Sequence, residues 1–305
     1  IIMGHMKISV IVPAYNEVEN IPRLVSLFKE FNEKQKERYE VVIVDDGSTD
    51  RTYEWAIEQS RGIPWIKCIR HKRNLGKTEA VNSGARIGEG EVLVIYDADM
   101  QYDVNDIPKL VKLIEDGADL ATGWKTGKYE KKFVSGIYNS LARWLFGLAI
   151  HDLNSIKALR REVLEQLSMR KDWHRYIVPF VKEAGGRIEE IKVTLRPRQY
   201  GMPKYSSPWR IIIGFYDLLA VKFQLSFLKK PMLYFGGIGG LLILAGVISG
   251  IIAIVLRIFG HGFRPLLYLV ILLIISGMLF FGLALIGEAV AAIIDRIDRL
   301  ENKIR

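Results

Sequence analysis

Asp97, Asp99 and Gln101 stand at alternate positions just after an uninterrupted apolar run, Val92 to Tyr96 (VLVIY). A short β-branched and aliphatic run of this kind reads as a strand buried on both faces of a parallel sheet. Open α/β sheets bind ligands at the carboxyl ends of their strands. Two carboxylates two residues apart at such an end point the same way. They suit a hard divalent cation that already carries phosphate oxygens. The competing reading is an acidic loop that caps the next helix, since Asp103 and Asp106 precede an Ile107-Pro108 helix start.

Further carboxylates are expected at the same edge. Lys7 to Val12 reads as a strand followed by Pro13, Ala14, Tyr15, Asn16 and Glu17, and Glu40 to Val44 as a strand followed by Asp45 and Asp46. Carboxylates there can accept hydrogen bonds from base N–H groups or ribose hydroxyls, and Tyr15 can stack on a base. A turn with a helix cap explains Gly47 and Ser48 but not two adjacent aspartates.

The elements that must position these groups alternate strand and helix. Asn20 is placed to cap a helix carrying Leu24, Leu27, Phe28 and Phe31 on one face, and Asp50 or Ser48 to cap a helix over Arg51–Ser60. A third strand, Trp65 to Arg70, runs into the loop HKRNLGK and a helix from Thr78. The alternation predicts a doubly wound, mostly parallel α/β sheet. No G-x-G-x-x-G follows the first strand, and Gly76-Lys77-Thr78 lacks the upstream glycine of a Walker loop. Carboxylates and metal, rather than a glycine cradle, are left to hold a nucleotide.

The chain has 305 residues and a net charge of +9, room for one soluble domain and an appendage. Its basic residues form no single long run and cluster beside apolar stretches near the C-terminus, which favours a membrane surface over nucleic acid. The single cysteine, Cys68, excludes an intrachain disulfide and reads as a structural thiol. Residues 1–6 read as an extraneous leader. There is no signal-peptide pattern and no internal repeat.

In this order IVPAYNE, VVIVDDGSTDRT, HKRNLGKTEAVNSG and VIYDADMQ resemble the family 2 glycosyltransferases of the GT-A fold. The resemblance covers about residues 7 to 205. It implies a GT-A domain in which Pro13, Tyr15, Glu17, Asp45 and Asp46 contact the nucleoside. Lys77 and Asp97 would lie at the nucleotide pocket, and Asp97, Asp99 and Gln101 would hold Mg²⁺ or Mn²⁺ against the diphosphate. HDLNSIKALRREVL lies where polyprenyl-phosphate sugar synthases carry an Asp…Ser-Gly-Phe stretch. Asp152, Asn154 and Ser155 match it, whereas Ile156-Lys157 replaces Gly-Phe. Asp152 is thereby implied as a catalytic-site residue that contacts the sugar, not as a base. DWHRYI resembles the His-Arg-Tyr/Phe segment of dolichol-phosphate-mannose-synthase-like proteins, and TLRPRQYGMPKYS their basic acceptor loop. In that loop Arg196, Arg198, Tyr200 and Lys204 are placed to bind a phosphate. An ordinary basic loop facing anionic lipid heads is the alternative.

From Ser207 the composition shifts. Residues 207–230 suit an amphipathic helix in the membrane interface, and Phe133 to Ile150 suits either another or a core helix. Leu233 to Leu256 and Leu266 to Ile286 are each about long enough to span a bilayer. The expected division is a catalytic domain over 7–206, the interfacial region, a two-helix membrane domain over 231–290 and an amphipathic tail over 291–305. Lys229, Lys230, Arg296, Arg299, Lys303 and Arg305 place the catalytic domain and both termini in the cytoplasm of a two-span cell-membrane protein.

The expectation is hexose transfer, mannose or glucose, from GDP-mannose or UDP-glucose to a polyprenyl phosphate such as dolichyl phosphate. Homo-oligomers, including tetramers, occur among the two-span relatives the resemblance brings in. Two rivals stand beside it. A processive polysaccharide synthase would carry a Gln-x-x-Arg-Trp motif and more spans, and neither is found. A non-catalytic nucleotide-binding scaffold would have no need of an intact Asp97-x-Asp99-x-Gln101.

Overall fold

The computed structural model describes residues 7–35, 39–126, 132–167, 169–170, 172–196, 209–227, 229–262 and 264–304. The chain divides into two compact units, Ile1–Ile212 and Ile213–Arg305.

In the first unit seven strands form one sheet: β1 (Ile8–Ala14), β2 (Glu40–Asp45), β3 (Ile66–Arg70), β4 (Val92–Ile95), β5 (Leu120–Thr126), β6 (Lys157–Arg160) and β7 (Ile188–Thr194). Their order is β3-β2-β1-β4-β6-β5-β7. The first four in sequence are mutually parallel, while β6 runs antiparallel to β4 and β5 on either side of it. The strands read as near-continuous apolar runs because helices cover both faces. Val10, Val12, Val41, Ile43, Val92 and Val94 pack into one core with Leu24 and Phe28 of α1 (Ile21–Lys34) and Leu110 and Ile114 of α4 (Ile107–Glu115). On the other face, Gly84 of α3 (Lys77–Ile87) lies against Ile11 and Val44. The remaining helices are α2 (Thr52–Ser60), α5 (Lys132–Phe146), α6 (Arg161–Gln166) and α7 (Ile177–Glu183).

Two local expectations differ from what is observed. Asn20 makes no side-chain cap to α1: its amide nitrogen donates to Glu17 Oε2 at 2.6 Å, while its Oδ1, the atom a cap would use, has no hydrogen-bond partner among the described residues. α2 has Arg51 at its N-cap with no side-chain cap, and Asp50, one residue earlier, accepts from Thr52 N at 3.0 Å.

The second unit holds most of α8 (Trp209–Lys222), α9 (Gly237–Ile258) and α10 (Arg264–Ile304). Two helical stretches, Met232–Ile258 and Arg264–Ile297, have mean hydropathy 2.7 and 2.9 and are long and apolar enough to cross a membrane. They contain both expected spans. α9 and α10 meet through small residues: a Cβ on Gly239 would lie 2.8 Å from the carbonyl oxygen of Gly277. Close backbone approach of this kind is how apolar helices associate in lipid. α8 exposes Ile213, Phe215, Tyr216 and Leu219, and α5 exposes Ile137 and Trp144.

Candidate active site

The strand order locates the site. From β1 the chain steps outward to β2 and β3, then returns to β4 on the other side of β1. A crevice opens at the carboxyl ends of strands where a doubly wound sheet reverses in this way. There a cleft of about 580 Å³ is lined by Pro13, Ala14, Tyr15 and Glu17 after β1, Asp46 after β2, and Asn74, Gly76 and Lys77 before and within α3. Asp97, Ala98, Asp99 and Gln101 follow β4, and Asn154, Asp172, His174 and Arg175 complete the wall. A larger groove of about 990 Å³ lies at the turn between α9 and α10, and its mainly apolar walls suit lipid rather than a nucleotide.

The loops of the cleft hold one another. Asn16 N donates to Ser48 Oγ at 2.8 Å, Thr49 N to Asn16 Oδ1 at 2.8 Å, and Glu17 N to Thr52 Oγ1 at 2.8 Å. Asp46 is buried and gathers the loop after β3, accepting from Leu75 N at 2.9 Å and Gly76 N at 2.8 Å, with His71 Nδ1 at 2.8 Å. Gly47, at φ 69°, packs its α-carbon so close to that loop that a Cβ would lie 2.6 Å from Asn74 N. Asn16 (φ 51°) and Met100 (φ 52°) take left-handed backbone within the two loops that flank the cleft. Strained non-glycine residues of this kind concentrate at functional sites.

The cation residues expected from sequence come together. Asp97, Asp99 and Gln101 all face the cleft, and the Asp99 carboxylate accepts from Gln101 N at 3.3 Å. Lys77 is ion-paired with Asp97 Oδ1. Burial works to raise the Asp97 carboxyl, but Lys77, with Lys157 and Lys125 behind it, outweighs burial and holds it below the ordinary carboxylate value. Ionised carboxylates beside an amide oxygen form a hard-oxygen donor set that fits Mg²⁺ or Mn²⁺. Among the described residues no three His, Cys, Asp or Glu side chains gather at one point. A cation here would complete its shell with phosphate oxygens and water.

Two aspartates are turned away from the cleft. Asp45 is buried off the wall, its carboxylate accepting from Ser48 N at 3.1 Å and paired with Arg70 Nε at 3.1 Å. It shapes the turn and is absent from the lining of the cleft. Asp152 is likewise buried, paired with Lys125 Nζ at 3.2 Å and accepting from Asn154 N at 3.1 Å. It positions Asn154, which does reach the wall, and itself stands behind the cleft lining. Beside it Lys157 is 4% exposed and donates to Ser155 O at 2.9 Å. Burial, with repulsion from Lys77 and Lys125, overcomes the pull of Asp152 and Asp97 and brings its ammonium down to about 7.

Asn74, Gly76, Asn154, Asp172, His174 and Arg175 line the cleft although sequence reasoning assigned them no role. Their signal was present in the HKRNLGK, HDLNSI and DWHRYI stretches. His174 is tied to α3 through Thr78 Oγ1 at 3.2 Å. The buried Nε of Arg175 has no hydrogen-bond partner among the described residues. Arg196 is ion-paired with Asp103, and its backbone N donates to Gln101 O at 2.8 Å, holding the residue after β7 to the end of the aspartate motif. Arg198, Tyr200 and Lys204 lie outside the described residues.

Comparison with known proteins agrees with this architecture. Residues 9–168 match the model of glycosyl transferase family 2. The chain is 31% identical to the dodecaprenyl-phosphate galacturonate synthase of Rhizobium johnstonii, over 98% of this chain and 92% of that protein. It is 28% identical to an undecaprenyl-phosphate 4-deoxy-4-formamido-L-arabinose transferase of Pseudomonas syringae, over 92% of this chain and 84% of that one. Similarity to the dolichol-phosphate mannosyltransferase of Pyrococcus furiosus is 35% over 65% of this chain and 59% of the relative. Among solved structures, glucosyl-3-phosphoglycerate synthase from Mycobacterium tuberculosis, in complex with Mn²⁺, UDP and glucosyl-3-phosphoglycerate, superposes with a TM-score of 0.57. At 18% identity over 72% of this chain and 80% of that one, it supports the fold alone. With the family model spanning most of the strands and loops that form the cleft and a relative aligned along nearly the whole chain, the chain belongs to glycosyl transferase family 2.

Proposed function

We propose that this chain is a membrane-bound inverting transferase that moves a hexose from a nucleotide diphosphate sugar to a polyprenyl phosphate. The observation that carries the reading is the cleft, where Asp97, Asp99 and Gln101 face Tyr15, Glu17, Lys77 and Arg175 in one chain with two membrane-length apolar helices. The relatives that align along most of the chain act on dodecaprenyl and undecaprenyl phosphates, which favours this acceptor class.

Tyr15 stacks on the base and Glu17 accepts from base or ribose donors. Pro13 closes the wall beside them, and Asp46 acts through the loop it gathers. Lys77 serves the diphosphate. Asp97, Asp99 and Gln101 would hold Mg²⁺ or Mn²⁺, which when bound neutralises charge on the departing diphosphate. The acceptor phosphate is received by Arg175 and by the segment that begins at Arg196 and continues through Arg198, Tyr200 and Lys204. One of its oxygens bonds to the anomeric carbon as the bond from that carbon to the donor's phosphate oxygen breaks. The nucleoside diphosphate leaves, and configuration inverts. A phosphate monoester with a second pKa of about 6 is already ionised, so orientation matters more than a base. That agrees with a buried, paired Asp152.

GDP-mannose and UDP-glucose are the donors the sequence resemblance implies, and the relatives add a galacturonate donor to be tried. The exposed apolar residues of α5 and α8 suit the lipid interface, and Lys229, Lys230 and Arg296 beside the apolar helices favour a cytoplasmic catalytic unit and cytoplasmic chain ends.

A radiolabel transfer assay in detergent tests the reading, with Mg²⁺ or Mn²⁺, a polyprenyl phosphate and GDP-mannose, UDP-glucose and UDP-galacturonate in turn. Label enters the lipid phase from one donor and is lost in Asp99→Ala. Metal-dependent nucleotide binding with no lipid product from any donor would overturn the acceptor.

A further inference from the structure

Lys157 is the first residue of β6 and stands in register with Ile95, the last residue of β4. Because β6 runs antiparallel, it begins at the sheet edge where β4 ends, the edge that carries Asp97. Lys157 and Ile95 border a recess that adjoins the cleft and shares Lys77, Asp97, Asn154 and His174 with its wall. The recess holds about 10 Å³, room for one oxygen-sized group. Two of the three ammonium groups gathered here are taken up, Lys77 by Asp97 and Lys125 by Asp152. Lys157 is as buried as they are or more, yet among the described residues it has no ion pair and donates one hydrogen bond, to Ser155 O. That leaves two of its three N–H donors unused. Burying a charge without a counter-ion is costly, and a ligand that supplies one recovers the loss.

Position along the sheet edge selects the ligand. In the reading above the nucleoside meets Tyr15 and Glu17 after β1, and the diphosphate meets Asp97 and Asp99 after β4. β6 is the next strand beyond β4, so the recess falls beside whatever follows the diphosphate in the donor, which is the sugar. A neutral hexose brings no charge to it. A hexuronate carries a carboxylate at C6, and one carboxylate oxygen matches a recess of this size, whereas a phosphate tetrahedron exceeds it. Lys77 and the cation residues already serve the diphosphate.

We propose that Lys157 is the counter-ion for a carboxylate on the donor sugar, so that the donor of this chain is a nucleotide hexuronate. The assignment rests on the donor reading proposed above. Equilibrium binding to the full chain in detergent with Mn²⁺ tests it, using donors matched except at C6. The pairs are UDP-galacturonate with UDP-galactose, UDP-glucuronate with UDP-glucose, and GDP-mannuronate with GDP-mannose. In whichever pair binds, the wild type should favour the uronate by about 10- to 100-fold. Lys157→Met should bring the two donors within about threefold of each other, with binding of free UDP or GDP reporting that the variant is folded. The wild-type preference needs no variant. Equal affinity for both members of a pair in the wild type, or a preference that survives Lys157→Met, would overturn the assignment and leave the transferase reading standing. A loss of polyprenyl phosphate binding in Lys157→Met with the donor preference intact would overturn it too, since the anion would then be the acceptor's. Failure of every donor and of free UDP and GDP to bind would sink the donor reading itself, and this assignment with it.

Discussion

The ammonium of Lys77, the first residue of α3, is ion-paired with Oδ1 of Asp97, two residues beyond β4. The lysine thus stands where a divalent cation on Asp97 would place its own charge, and the two compete for the same carboxylate. With donor bound, the lysine has phosphate oxygens to turn to. Lys77→Met should therefore tighten Mn²⁺ binding to the donor-free protein, read by paramagnetic titration, while lowering transfer by about 10²-fold. Unchanged Mn²⁺ affinity would show that the pair does not gate the cation.

Asp152 and Lys125 form a nearly buried pair, 3% and 10% exposed. Removing one partner strands the other charge, at a cost of about 3–5 kcal/mol. Asp152→Ala should lower the melting temperature sharply, and the double change Asp152→Leu with Lys125→Met should recover most of it. Donor KM of protein folded at low temperature should move little. A large KM effect without loss of stability would restore Asp152 as a sugar contact.

Lys157 gives the protein a pH signature. Its ammonium is brought to about 7 in the fold, against 10.5 for an ordinary lysine. Between those values the unfolded chain binds more protons, so stability from this group rises with pH. Below about 7 both states are charged and the full burial penalty applies. Lys157→Met should raise the melting temperature at pH 6, on the order of 5 °C, with the gain fading toward pH 10. Thermal scans across pH measure it, and a pH-independent difference would remove the ammonium as its source.

Gly47 meets two constraints at once, a φ of 69° and the backbone of Arg73 and Asn74. Gly47→Ala should cost more than about 2 kcal/mol, with left-handed strain supplying about 1–2 of it. Because Asp46 is the neighbouring residue and holds the same loop, nucleotide affinity should fall in parallel. Urea unfolding and nucleotide titration on one preparation would show whether the two losses travel together.

Much of this protein was legible along the chain. The strand ending at Asp97, the alternation of strands and helices, and the two apolar helices follow from local periodicity, which one stretch of sequence carries by itself. The placement of Asp97, Asp99 and Gln101 together on the cleft followed too, because alternate residues at a strand end share a direction whatever lies across from them. What the chain could not settle locally was decided by tertiary pairing. β6 enters the sheet antiparallel between β4 and β5, setting Lys157 opposite Ile95 and carrying Asn154 to the cleft. That placement depends on hydrogen bonds to β4, more than sixty residues away along the chain, and to β5 on the other side. The aspartates show the same division. Asp45 and Asp46 are neighbours at the end of β2 and Asp152 lies in the loop before β6, yet of the three only Asp46 lines the cleft. Each carboxylate turns to the donors the fold brings within reach: Arg70 for Asp45, Leu75 N and Gly76 N for Asp46, and Lys125 for Asp152.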